Sequence, residues 1–204
     1  MKKIMFNDRY GLTYAVLSGR KTMTRRIINF KNEFVLEWTT VPSLEERWKK
    51  DILQTYTRYK VGDIVAVAQP YSDIWDEMLD NFNNSVYDKF KEEDIDNIIN
   101  SKGWGNKMFV RADLMPHRIR ITNIKVEHLQ DIDDEQATRE GIQTDTRHFS
   151  IYQGQHGFYN RATNRPCTYQ SPRLAFAHLI DKVSRKGTWD LNPWVFVYEF
   201  EIIK

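Results

Sequence analysis

The sequence predicts an α+β fold, and three observations carry that expectation. Extended runs and single helical segments are interleaved irregularly, with no repeating strand–helix–strand unit. Two runs, 118–127 and 194–203, are long enough to be principal strands, and the first alternates polar with apolar residues as a half-buried strand does. The 204 residues are 41% hydrophobic and 13% aromatic, which fills one well-packed core. We therefore expect a single domain over residues 1–204 with two insertions, at 72–103 and 143–170.

Taken in order, residues 1–6 read as a short strand. Residues 8–18 read as an amphipathic helix, with Asn7 or Asp8 as cap, Leu12, Ala15 and Val16 on one face, and Gly19 where it stops. Runs 27–30 and 34–39 are strand candidates. Pro42-Ser43 opens a helical stretch over 44–58 that places Leu44, Trp48 and Ile52 on one side. The turn Lys60-Val61-Gly62-Asp63 leads into 64–68, a buried strand ended by Gln69-Pro70-Tyr71. Residues 72–103 are acidic and repeat apolar residues at helical spacing, from Ile74 and Met78 to Ile98 and Ile99. That suits a helical insertion covering a sheet edge better than a lid. Run 108–111 is a further strand candidate, and 131–141 a short helix closed by Gly141. Residues 143–170 are polar and unperiodic, a long loop. Ser171-Pro172 starts a helix with Phe176, Leu179, Ile180 and Val183 inward, and 194–203 is the last strand.

Composition narrows the function. The formal net charge is only +2, so any affinity for nucleic acid has to come from a local patch. The acidic insertion repels phosphate and is not part of such a track. A single cysteine, Cys167, excludes an internal disulfide and a cysteine-based zinc site. The five histidines lack ligand spacing, so no metal and no cofactor are expected. The start Met1-Lys2-Lys3-Ile4-Met5-Phe6 is too short for a signal peptide, and no apolar run reaches spanning length. The expectation is a soluble cytoplasmic protein with no membrane partner.

The chemistry concentrates in Gly19-Arg20-Lys21-Thr22-Met23-Thr24-Arg25-Arg26, four cations and two hydroxyls within eight residues at a helix-to-strand junction. Such a run reads either as a solvated charge cluster or as a site for an anionic or polar ligand. The interleaved threonines favour the second. This element looks like the GRKTxT signature of the ASCH domain, a relative of the PUA domain. Val61-Gly62-Asp63-Ile64-Val65-Ala66-Val67 resembles that family's "VGD" turn and strand. Ile124 to Ile132, with Ala137-Thr138-Arg139-Glu140-Gly141-Ile142, resembles its strand and "EG" helix, and Asn192 to Phe200 its last strand. The whole layout resembles long ASCH-like proteins encoded by phages and prophages, which would place the protein in the host cytoplasm.

The resemblance implies a PUA-like mixed β-barrel with peripheral helices. It also implies a site, because small bacterial ASCH proteins include an amidohydrolase that removes the acetyl group from N4-acetylcytidine. Its catalytic residues correspond to Lys21, Thr24 and Glu140. Amide hydrolysis needs a nucleophile, a base and a donor for the developing oxyanion. Lys21 sits among cations that disfavour its ammonium form and so suits a base. Thr24 suits a nucleophile or a holder of water. Glu140 suits a group that holds Lys21 or handles the leaving amine's proton. Arg20, Thr22, Arg25, Arg26, Arg118, Arg120 and Tyr71 are candidates for binding a modified nucleoside, nucleotide or RNA. Lys21 reads equally as a phosphate ligand, Thr24 as a β-branched strand residue and Glu140 as a solvated helix-end acid. Three functions follow: an amidohydrolase, a non-catalytic reader of RNA or of a modified base, and a phage accessory or assembly protein.

Overall fold

The computed structural model describes residues 1–30, 42–78, 92–145, 148–151, 159–160, 165–166 and 169–203. Its strands are β1 (Lys2–Ile4), β2 (Met23–Ile27), β3 (Ile64–Val67), β4 (Arg118–His128), β5 (Ile142–Asp145), β6 (His148–Ile151), β7 (Tyr159–Asn160), β8 (Arg165–Pro166) and β9 (Trp194–Ile203). Its helices are α1 (Leu12–Leu17), α2 (Pro42–Thr55), α3 (Glu92–Ile99), α4 (Asp134–Arg139), α5 (Pro172–Val183) and α6 (Thr188–Leu191).

The fold is α+β. Five strands form one mixed sheet in the order β1-β3-β4-β9-β2, in which only β1 and β3 pair in parallel. β4 and β9 form its spine, in register from Arg118↔Ile203 to His128↔Trp194 with an irregularity between Ile121 and Asn123. β9 lies between two partners and buries Trp194 to Tyr198 on both faces, which is why it reads as a continuous apolar run. Among the described residues the sheet is open and not closed into a barrel. It curls, however, because its two edges approach: Arg26 Nη2 at the end of β2 donates to the Met5 carbonyl just past β1 at 2.7 Å.

The main core takes in residues from both faces of β9, with Trp48 of α2 against Trp194 at a ring separation of 4.9 Å and α5 contributing Phe176, Leu179 and Ile180. Ala66 and Ala68 point away from it, into a second apolar cluster with Tyr71, Ile74, Met78, Ile98, Val110 and Met115. The acidic insertion thus covers a face of the sheet at β3, where an edge cover was expected. β3 is hydrogen-bonded on both sides, so the free apolar surface there is its face.

Several boundaries differ from the sequence reading. The strand after the basic cluster begins at Met23, not at Ile27, because pairing with Glu199 to Val195 of β9 overrides the low strand propensity of two arginines. The helix over 8–18 is broken: Gly11 takes φ 63°, separating a 3₁₀ turn at Asp8–Tyr10 from α1, and the Asn7 side chain caps neither. Run 108–111 is not a strand. Lys107–Phe109 is a 3₁₀ turn whose Met108 and Phe109 side chains are exposed, so its apolar character buries nothing. The stretch read as a long loop holds two short antiparallel pairs, β5–β6 and β7–β8. The strand candidate at 34–39 lies outside the described residues. Among the described residues no helix is long and apolar enough to cross a membrane.

Candidate functional site

The basic cluster is fastened to the end of α4, more than a hundred residues away. Thr22 N donates to the Arg139 carbonyl at 2.9 Å, and Arg139 Nε returns a bond to Thr22 Oγ1 at 3.2 Å. Arg20 Nη1 donates to the Gly141 carbonyl at 2.6 Å. Lys21, between them, is thereby held over Glu140. Its Nζ donates to Glu140 Oε2 at 2.6 Å and to the Glu140 carbonyl at 2.7 Å.

Both partners are interior, Lys21 being 2% and Glu140 3% exposed. A buried ion pair persists only when its remaining valences are satisfied, and Arg25 does this. Its Nη1 donates to Glu140 Oε1 at 3.2 Å, while Nε and Nη2 reach Glu127 Oε1 at 3.2 and 2.6 Å and Nη2 reaches Gln136 Oε1 at 2.5 Å. Lys125 completes the line at 2.6 Å from Glu127 Oε2. The order is Lys21–Glu140–Arg25–Glu127–Lys125, alternating in sign. Burial pushes the Lys21 ammonium below the usual lysine value. Glu140 works against this by charge and hydrogen bond, and Arg26 and Arg25 add to the lowering.

Three members of this network, Lys21, Arg25 and Glu140, line a cavity of about 620 Å³, inside the roughly 300–1,000 Å³ typical of small-molecule sites. Lys21, Thr24, Arg25, Arg26 and Glu140 line it, and Phe6, Leu12 and the α5 residues Phe176, Leu179, Ile180 and Val183 give it an apolar wall. Thr24 is 5% exposed, and among the described residues its hydroxyl has no hydrogen-bond partner. An unengaged hydroxyl lining the same cavity as a lysine of lowered proton affinity is the feature that sets this cavity apart from a purely structural ion network.

Other sequence candidates fall elsewhere. Arg20 and Thr22 serve the docking onto α4 and do not line the cavity. Tyr71 belongs to the second apolar cluster, where its hydroxyl accepts from Arg111 N at 2.8 Å. Arg118 and Arg120 lie on β4 away from the cavity, and Arg120 pairs with Glu201 at 3.0 Å. Glu127 and Gln136 escaped the sequence reading, although both had a signal. Gln136 stands four residues before Glu140 and so shares its helix face, and Glu127 shares a strand face with Lys125. Among the described residues no group of three or more His, Cys, Asp or Glu side chains is placed to hold a metal ion.

Gly141 makes the turn that presents the Glu140 carbonyl to Lys21. Its φ is 102°, whereas a Cβ there would stand 3.4 Å from Ala15 Cβ and 3.5 Å from Lys21 Cβ, which is ordinary contact. Backbone strain, not lack of room, is therefore what excludes a side chain. Gly141→Ala is expected to lower stability by about 1–2 kcal/mol. The check is a lower denaturant midpoint with an unchanged slope.

Comparison with protein-family models, with curated proteins and with solved structures finds no match to this chain.

Proposed function

We propose that the protein is an ASCH-type, PUA-like amidohydrolase of the cytoplasm that removes the acetyl group from N4-acetylcytidine or a close relative. The curl of the five-stranded sheet, with Arg26 bridging its two edges, supports the PUA-like reading. The observation that carries the activity is the buried Lys21–Glu140 pair sharing one cavity with the unengaged Thr24 hydroxyl.

In this reading the neutral amine of Lys21 takes a proton from the attacking oxygen, that of Thr24 or of a water held by it, as the new C–O bond forms at the acyl carbon. The C–N bond then breaks, and the N4 amine leaves with the proton that Lys21 returns. Water attack yields acetate directly. Attack by Thr24 yields an acyl-threonine that a water then hydrolyses. Glu140 keeps Lys21 in place, and Arg26, the exposed cation of the cluster, faces the cavity for the developing oxyanion.

The same geometry argues against a site that merely neutralises phosphate. Lys21 and Arg25 are spent on Glu140, Glu127 and Gln136, and Arg20 on a backbone carbonyl. Incubation with N4-acetylcytidine, with nucleosides separated by chromatography, is expected to release cytidine. Binding without release would make the protein a reader of the modified base. Neither binding nor release would leave the accessory-protein role.

A further inference from the structure

A second cavity, of about 440 Å³, adjoins the first and shares Met5, Arg26 and Ile27 with it. It lies where the two edges of the sheet approach, with Lys3 and Ile4 on one side and Ile28 on the other. The two cavities differ in chemistry. The first has carboxylates in its wall, Glu140 and Asp8. In the second, among the described residues, no carboxylate appears: its charged residues are Lys3, Arg26 and Arg58, and its rings are Tyr56, Tyr59, Phe196 and Tyr198.

Among the described residues none of these three cations makes an ion pair. Lys3 Nζ donates to the Met108 and Val110 carbonyls, at 2.7 and 2.6 Å. Arg26 donates to the Met5 carbonyl. Arg58 is exposed and lies over the Tyr59 ring at 5.5 Å, and among the described residues its guanidinium makes no ion pair or hydrogen bond. Tyr59 is held by its hydroxyl donating to the Lys3 carbonyl at 2.9 Å and by edge contact with Tyr198 at 5.3 Å. A rigid aromatic wall beside unpaired cations fits a group that is anionic at one end and flat at the other.

We infer that this second cavity binds the phosphate attached to the nucleoside whose base occupies the first, so that the preferred substrate is a nucleotide and not a free nucleoside. Arg58 holds the phosphate, and the exposed Tyr56 stacks the next ring where one follows. The inference rests on the first cavity accepting the base. The phosphate can be a terminal monophosphate or the bridge to a neighbouring nucleotide, and both present the same charge to Arg58.

The test is calorimetric titration of the full chain with N4-acetylcytidine, its 5′-monophosphate, and a dinucleotide carrying the acetylated base, at two salt concentrations. The phosphate-bearing ligands are expected to bind about tenfold or more tightly than the nucleoside, a gain in the range of a charge-assisted hydrogen bond. That gain is expected to shrink at high salt and to be largely lost in Arg58→Gln. A dinucleotide advantage over the monophosphate identifies the bridging phosphate and stacking, and equal binding identifies the terminal one. Because Arg58 is exposed, the variant's unchanged melting temperature serves as the folding control. Equal affinity for nucleoside and nucleotide, or a phosphate gain that survives Arg58→Gln, overturns the inference. Cytidine release is scored on the same samples. Release with no phosphate gain leaves the hydrolase standing and removes the second site. A phosphate gain without release does the opposite.

Discussion

Glu140→Ala is expected to cost about 3–5 kcal/mol of stability, the usual penalty for leaving a buried charge without its partner. Among the described residues the variant strips Lys21 of its only carboxylate and Arg25 of one of two. Arg25 keeps Glu127 and Gln136, so the larger part of the penalty falls on Lys21, which retains only the Glu140 carbonyl. Pairing Glu140→Ala with Lys21→Met is therefore expected to recover much of the loss. A double-mutant cycle should show coupling well above the roughly 0.5 kcal/mol that separates dependent from independent sites. The surface pair Lys2–Asp63 provides the contrast: it is as short, at 2.7 Å, but its side chains are 46% and 30% exposed. Asp63→Asn is expected to cost at most about 1 kcal/mol. Urea unfolding of the two variants measures both costs. A cost for Glu140→Ala no larger than that for Asp63→Asn would mean that the network is hydrated and that burial does not set the proton affinity of Lys21.

The parts of the fold legible in sequence are those whose burial follows a local period. β4 alternates, β9 opens on an unbroken apolar run from Trp194 to Tyr198, and α5 announces itself with Ser171 accepting from Leu174 N ahead of Pro172. What was not legible depends on distant partners. Arg25 and Arg26 are poor strand residues until β9 supplies the ladder, and Met108 and Phe109 look like a strand because sequence does not reveal that no described strand pairs with them. The site divides in the same way. Lys21 and Thr24 stand out through the resemblance of their short stretch to the GRKTxT signature, and both line the cavity. By contrast, the cations of that stretch read as a patch open to ligand because Glu127, Gln136 and the Gly141 carbonyl, which consume them, lie over a hundred residues on. Charge counted along a chain overstates free charge wherever a fold brings acids back to it.

The second large effect is on turnover. Thr24→Val removes a hydroxyl that has no partner among the described residues, so it breaks no hydrogen bond and is expected to leave stability nearly unchanged. Turnover of N4-acetylcytidine is nonetheless expected to fall by about 10²–10⁴-fold, as it is for Lys21→Met, and the double variant should be no worse than either single one. The pH profile separates a catalytic Lys21 from a structural one. Its folded proton affinity lies below the ordinary lysine value of 10.5, mainly through burial. At low pH both folded and unfolded chains hold the proton, and the folded state bears the full cost of the buried ammonium. Between the lowered value and 10.5 the unfolded chain binds the extra proton, so this contribution to stability rises with pH across that window. The rate should rise as pH passes through the lowered value, where the amine form of the folded chain appears, and level off above it. Glu140 is the principal influence opposing the lowering. In Glu140→Gln, therefore, the residual activity should rise at a still lower pH than in the parent chain. A residue that only shaped the cavity would change the height of that profile and not the position of its limb. A limb that stays in place in Glu140→Gln would remove Lys21 from the role of base.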